Sequence, residues 1–348
     1  MMIVLGVDAH KRNHTVVAAD GLGVQVGVLT ATATAEGHLR LLAWAGQFES
    51  RRWAVEDCRV LSRRLEADLL CAGERVVRVP PGLMADARRG GRTRGKSDPI
   101  DALAVARLAL REPDLPQACL DGESRLLRLL VDHRESLVAE RTRAQNRLRW
   151  RLHELEPGWD PPASSLSSPL TMRKLQDALA GYQGLVADLA REEVAHIAEL
   201  TRRAVDLQRR IVGQVSGLTP SLLRLPGCGP LTAAKLVGET AGIGRFATPD
   251  KFAAWAGAAP IPVWSANSER FRLNRGGNRQ VNAALHRIAI TQLRCHPPAQ
   301  AYLKKRLAAG STKAEALRAL KRHLADIVYH HLQADTATPG RQPQPAAA

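Results

Sequence analysis

The chain has few cysteines, no long apolar run and no basic leader, and each absence excludes a class of protein. Cys58, Cys71, Cys119, Cys228 and Cys295 are scattered, odd in number and without a C-x-x-C pair. That excludes a disulfide scaffold or a cysteine-rich zinc module and fits a reducing cytoplasm. No stretch approaches the ~18 uninterrupted apolar residues of a membrane span. The N-terminal Met1-Met2-Ile3-Val4-Leu5 has neither the basic lead nor the cleavage site of a secretory signal. His10, His14, His286, His296, His323, His330 and His331 show no metal-ligand spacing, so no zinc site is expected. His14 is expected to face outward or to pack on the second strand.

What is present is positive charge. The chain has 348 residues, 45% hydrophobic and 24% charged, enough for a real core and two or three domains. Lys and Arg number 50 against 34 acids, a formal charge of +16 with a pI near 10.5. Such a surplus selects polyanionic partners, nucleic acid or an anionic membrane. It is uneven: net +3 over 1–120, +1 over 121–215 and +12 over 216–348.

Apolar runs at 3–7, 16–17 and 24–28 predict a three-stranded antiparallel meander. A helix at about 34–47, a strand at 52–56, a helix at about 59–71, a strand at 75–79 and a helix from 97 to about 111 follow. That order predicts a ribonuclease-H-like α/β domain with a mixed sheet over 1–120. Over 121–215 the apolar positions 126, 130, 137, 148 and 152 form one helical stripe. A second runs through Leu175, Leu179, Tyr182, Val186, Leu189, Ile197, Leu200, Ala204, Leu207 and Ile211, with a skip near 190–197. Steps of three and four predict a coiled-coil helical hairpin between two domains, one able to dimerise. From 216 to 333 an all-α domain is expected, with helices at 218–224, 230–240, 250–256, 278–294, 298–308 and 312–333. The Pro/Gln/Ala-rich tail 334–348 reads as disordered.

Four acids stand at ends of elements. Asp8 closes the first strand, Glu56 closes a later one, and Asp98 and Asp101 open a helix behind Ser97 and Pro99. Carboxylates so placed can converge at the carboxyl edge of a sheet. Clustered, they stay ionised only beside divalent cations, and hard oxygen ligands suit Mg²⁺ or Mn²⁺. Each alone reads equally as a turn, cap or macrodipole charge. Between them, Arg88, Arg89, Arg92, Arg94 and Lys96 form a basic loop suited to a phosphate backbone.

Further on, Leu225-Pro-Gly227-Cys-Gly229-Pro230 reads as a helix-hairpin-helix turn, its glycines and the next helix N-terminus open to a phosphate. A loop then carries Ser265 and Ser268, followed by Arg270, Arg272, Arg275, Asn278 and Arg279. A serine nucleophile acting on a phosphodiester would want such arginines, which bind phosphate bidentately. The same arginines suit non-catalytic contact with DNA or RNA.

Gly6-Val-Asp8 with His14, Val55-Glu56 and Lys96-Ser-Asp98-Pro-Ile-Asp101 resemble the DEDD motif of the insertion-sequence-110 transposase family. The 225–234 segment, Gly257-Ala-Ala-Pro260 through Ser265 to Gly277-Asn278, and His296 to Leu317 resemble its C-terminal domain. The resemblance covers about 3–333. It implies a RuvC-like fold, a composite site in a homo-oligomer (dimer or tetramer), and a recombinase guided by a structured bridge RNA pairing with donor and target DNA. It further implies Mg²⁺ at Asp8, Glu56, Asp98 and Asp101, and Ser265 as the nucleophile that forms a phosphoserine link. Two positions depart from the family pattern: Ala266 stands where Gly follows the serine, and Val281-Asn282 where Leu-Arg is usual. A metal-dependent junction resolvase in which water attacks, and a non-catalytic nucleic-acid-binding protein, are the alternative readings.

Overall fold

The computed structural model describes residues 2–56, 61–84, 97–118, 120, 122–265, 268–274 and 276–337, without the side chains of 264, 265 and 268–270. The chain divides into two compact units, 1–121 with 244–247, and the remainder from 122 onward.

In the first unit, β1 (Ile3–Ala9), β2 (Asn13–Ala19), β3 (Gln25–Thr32), β4 (Arg51–Glu56) and β5 (Val76–Val79) form one sheet in the order β3-β2-β1-β4-β5. The β1–β2 and β2–β3 pairs are antiparallel, and β1–β4 and β4–β5 are parallel, so the expected meander and mixed sheet are both present. Alternation divides each strand between two layers. Leu5, Val7, Trp53 and Val55 face α1 (Ala35–Ala45) and α2 (Arg63–Cys71), where Leu41, Leu65 and Leu69 complete one core. Val4, Ala54, Val77 and Val79 face α3 (Asp98–Arg111), with Val105, Ala106 and Ala109.

His14 does not face outward. It lies buried in β2 at 1% exposure, 5.2 Å ring to ring from His38 of α1, and its Nδ1 has no hydrogen-bond partner. Burial, with His38 and His10 nearby, pushes its pKa down to about 4. The unfolded chain therefore takes up a proton that the native state refuses. The contribution is complete above about pH 6.5 and is lost as pH falls toward 4, by about 3 kcal/mol. Urea denaturation at pH 7 and 4.5 should show this slope in the wild type and a shallower one in His14→Leu.

The second unit opens with α4 (Gly122–Leu155), continues through α5 (Pro169–Leu179), and returns along α6 (Leu185–Leu218). Arg134 donates to Gln208, and Arg147 pairs with Glu193 at 2.6 Å, so α4 and α6 run antiparallel. The continuous stripe expected from 175 is broken before Gly184, which takes φ 96°. The buried seam of α6 begins on Ala187 and Ala190, not on Val186 and Leu189, and rejoins the expected positions at Ile197. Consecutive steps of three at Val194, Ile197 and Leu200 are the skip. On α4 the expected Leu137, Leu148 and Leu152 are buried, but at its start Leu127 and Val131 are buried, one position beyond 126 and 130, because that end packs against α8 (Pro230–Thr240). A Cβ at Gly238 would stand 2.9 Å from the Arg128 backbone.

The remaining helices are α7 (Pro220–Leu223), α9 (Pro249–Trp255), α10 (Arg279–Cys295), α11 (Pro297–Ala308) and α12 (Lys313–Thr336). Two corrections follow. The C-terminal region is not all-α, since β6 (Ile261–Ser265) and β7 (Ser268–Arg272) pair as a hairpin. The last helix continues to Thr336, through the start of the expected tail, and 338–348 lie outside the described residues. Among the described residues, no helix is long and apolar enough to cross a membrane.

Candidate nuclease site and serine hairpin

Asp8 is the last alternation of β1 toward the α3 layer. The parallel register pairs Val7 with Val55, so Asp8 and Glu56 follow side by side at the carboxyl ends of neighbouring strands. The N-terminus of α3 comes to the same edge because its middle turns lie directly on β1. A Cβ at Gly6 would fall 2.2 Å from the Ala102 carbonyl oxygen and 2.5 Å from the Ala106 nitrogen. Only glycine permits that approach. It carries Asp98, the first residue of α3, and Asp101, one turn on, to the strand ends. Ser97 occupies the cap position without a side-chain cap bond; its carbonyl accepts from the Asp101 N–H at 3.1 Å.

Asp8 is buried at 6% exposure. Burial raises its carboxyl above the ordinary value, His10 pulls it back down, and Asp101 and Asp98 push it up again. His10 Nε2 lies 3.0 Å from Asp8 Oδ2 and 3.5 Å from Asp98 Oδ1. Asp8, His10 and Asp98 can each offer a ligand atom, all within 4.8 Å of one another. Glu56 and Asp101 lie outside that tight group. A half-buried collection of carboxylates and one imidazole, with the innermost carboxyl resisting ionisation, is the donor set a divalent cation neutralises. His10 lacks ligand spacing to another histidine, but two residues beyond Asp8 is the spacing that keeps a strand's side chains on one face.

The basic loop residues Arg88, Arg89, Arg92, Arg94 and Lys96, with Arg275, lie outside the described residues. In the second unit, Gly227 takes φ 83° and would place a Cβ 2.9 Å from the Ile288 carbonyl oxygen, so its backbone is spent on packing against α10. Gly229 caps α8 and faces open space. Ser265, expected in a loop, ends β6 directly opposite Ser268 in the hairpin register, with two residues between them. Arg270 lies on β7, and Arg272 ends it exposed. Arg279 opens α10 and is exposed. Asn278 is committed structurally: its Oδ1 accepts from the Gln280 and Val281 N–H groups, and its Nδ2 donates to Glu239 at 2.8 Å.

The base of the hairpin is clasped from both sides. Gly257 (φ 66°) and Gly277 (φ 89°) touch backbone to backbone, a Cβ on Gly277 falling 2.6 Å from the Gly257 nitrogen. Asn282 Nδ2 donates to the Ala256 and Gly257 carbonyls, while its Oδ1 accepts from Lys321 Nζ at 2.5 Å. The departure at Asn282 thus has a structural role of its own.

A DEDD-type transposase family model matches residues 5–157, and a model described as the transposase IS116/IS110/IS902 family matches 220–304. The 44.8 kDa protein of insertion element IS116 from Streptomyces clavuligerus is 27% identical over 95% of this chain and 94% of its own length. The 42 kDa protein of insertion element IS900 from Mycobacterium paratuberculosis is 26% identical over 81% and 82%. Among solved structures, T. thermophilus RuvC in complex with Holliday junction substrate aligns over 34% of this chain and 100% of its own, at 16% identity and a TM-score of 0.26.

Proposed function

This chain belongs to the IS116/IS110/IS902 transposase family, and from that premise we propose that it cuts and rejoins DNA in the cytoplasm through a covalent link to Ser265. The observation that carries the reading is the gathering of Asp8 and Asp98 where α3 meets the end of β1, with Glu56 and Asp101 beside them. Asp8, Glu56, Asp98 and Asp101 would hold Mg²⁺ or Mn²⁺. The cation would neutralise the carboxylates and stabilise charge on the oxygens of a scissile phosphate.

The chain's own residues do the rest. The Ser265 hydroxyl attacks phosphorus and the sugar oxygen leaves, the serine proton passing through solvent to that departing oxygen, giving a phosphoserine and a free DNA hydroxyl. A hydroxyl of the second DNA then attacks the phosphoserine and restores the serine. The number of phosphodiester bonds is unchanged, so rejoining needs no ATP. Arg270, Arg272, Arg275 and Arg279 would hold the phosphate and offset its developing charge. The basic loop from Arg88 to Lys96 would track the backbone.

The domain plan is a DEDD domain over 1–120, a helical connection over 121–215 and a serine domain over 216–333. Two or four copies would complete the site. The net +12 of the last third supports a second polyanion, a structured bridge RNA from the element's flank that pairs with donor and target DNA. Incubation with a suicide DNA, Mg²⁺ and the flanking RNA should give recombinant product, lost on chelation and without RNA. Product unaffected by Ser265→Ala would overturn the serine assignment, and hydrolysis without an adduct would favour a water-using resolvase.

A further inference from the structure

No histidine has ligand spacing to another, yet one stands inside the acidic cluster. We propose that His10 is a nitrogen ligand of the divalent cation at Asp8 and Asp98, and that it biases this site toward Mn²⁺ over Mg²⁺. The proposal rests on the cation-site reading above and adds a donor to it.

Strand alternation makes the placement specific. Ala9 turns into the opposite core, at 3% exposure, so Asp8 and His10 share the α3 side of the sheet. The His10 backbone N–H donates to the Asn13 carbonyl at 3.0 Å, closing the turn into β2 and fixing where the ring begins. From there Nε2 reaches between two carboxylates of different elements, 3.0 Å from Asp8 Oδ2 on β1 and 3.5 Å from Asp98 Oδ1 on α3. No described carboxylate occupies that position in its place. The side chain of Asp8 is 9% exposed, while those of His10 and Asp98 are 50% and 54% exposed. The cluster is therefore anchored inside and open outside, where an ion and a phosphate can enter.

His10 Nε2 and Asp8 Oδ2 are within hydrogen-bond distance of each other. To hold a cation, His10 would carry its ring proton on Nδ1 and offer the Nε2 lone pair. Mg²⁺ favours a shell of oxygens, whereas Mn²⁺ accepts imidazole readily, so one nitrogen donor shifts the preference between them.

The test uses the full chain and Mn²⁺ as the probe. Pulsed electron paramagnetic resonance of the Mn²⁺-loaded wild type should show hyperfine coupling to a directly bound ¹⁴N. His10→Gln, a change at a half-exposed position, should lose that coupling while keeping the wild-type melting curve. Competition between the two ions should show the Mn²⁺/Mg²⁺ affinity ratio falling about tenfold in the variant. Absence of ¹⁴N coupling in the wild type, or its persistence in His10→Gln, would overturn the proposal. Asp8→Asn separates the two levels. Mn²⁺ binding lost in Asp8→Asn, but without ¹⁴N coupling in the wild type, leaves the acidic site standing and removes His10 from it. Mn²⁺ binding retained in Asp8→Asn overturns both.

Discussion

Asp8→Asn should cut DNA cleavage steeply while leaving the protein, free of divalent cations, at least as stable as the wild type. Both halves follow from the surroundings of one carboxyl. Asp8 is buried, and burial together with Asp101 and Asp98 raises its pKa against the opposing pull of His10. For an acid with a raised native pKa, the folded state holds its proton longer than the unfolded chain does. Stability therefore declines as pH rises from the unfolded value of 3.8 through the native one, and at neutral pH the ionised group is a net cost. Asn keeps the shape and removes the charge. A cation reverses the balance for the wild type alone, since binding only to the native state stabilises it. Thermal melts with and without Mg²⁺ should show an increase for the wild type and none for the variant. Nicking of a suicide DNA should fall by at least about a hundredfold, the scale of losing one preorganised electrostatic group. A variant that is both active and less stable would contradict the account.

Gly6→Ala should be more damaging to the fold than its size suggests. The added methyl group would overlap the Ala102 carbonyl oxygen at 2.2 Å and the Ala106 nitrogen at 2.5 Å. Both are backbone atoms of α3, so no side chain can turn aside. Either α3 lifts off β1, exposing Val105 and Ala106, or the strand yields; the expected loss is about 3 kcal/mol, the upper range of overpacking. Cleavage should fall with it, because a displaced α3 carries Asp98 and Asp101 away from Asp8. Gly21→Ala is the matched control, since a Cβ there meets nothing within 4 Å. Urea denaturation of both variants checks the prediction, and equal stabilities would refute it.

The sheet is legible because its strands are short apolar runs closed by turn residues or a charge, and their succession with the helices points to a mixed sheet, although the order β3-β2-β1-β4-β5 is not read from it. The convergence of Asp8 with Asp98 was legible for the same reason: strand ends and a helix start have defined positions. His10 is not legible from spacing among the histidines, because its neighbours are the carboxylates of Asp8 and Asp98. The β6–β7 hairpin was hidden because Pro262 and the arginines around it suggest a loop, whereas cross-strand pairing is a non-local property. The seam of α6 slipped by one residue at its start because bulky Val186 and Leu189 competed with Ala187 and Ala190, and close packing favoured the small residues. Asn278 and Gly227 resembled nucleic-acid contacts by type, but a helix N-terminus and a neighbouring helix had prior claim on them.

The covalent link can be read directly by trapping the protein on a nicked suicide DNA with Mg²⁺ and its flanking RNA, then mapping the linked peptide by mass spectrometry. A nucleotide should be attached through phosphate to Ser265, absent in Ser265→Ala and absent in Asp8→Asn. Attachment at Ser268, or cleaved DNA with no attached peptide, would contradict it.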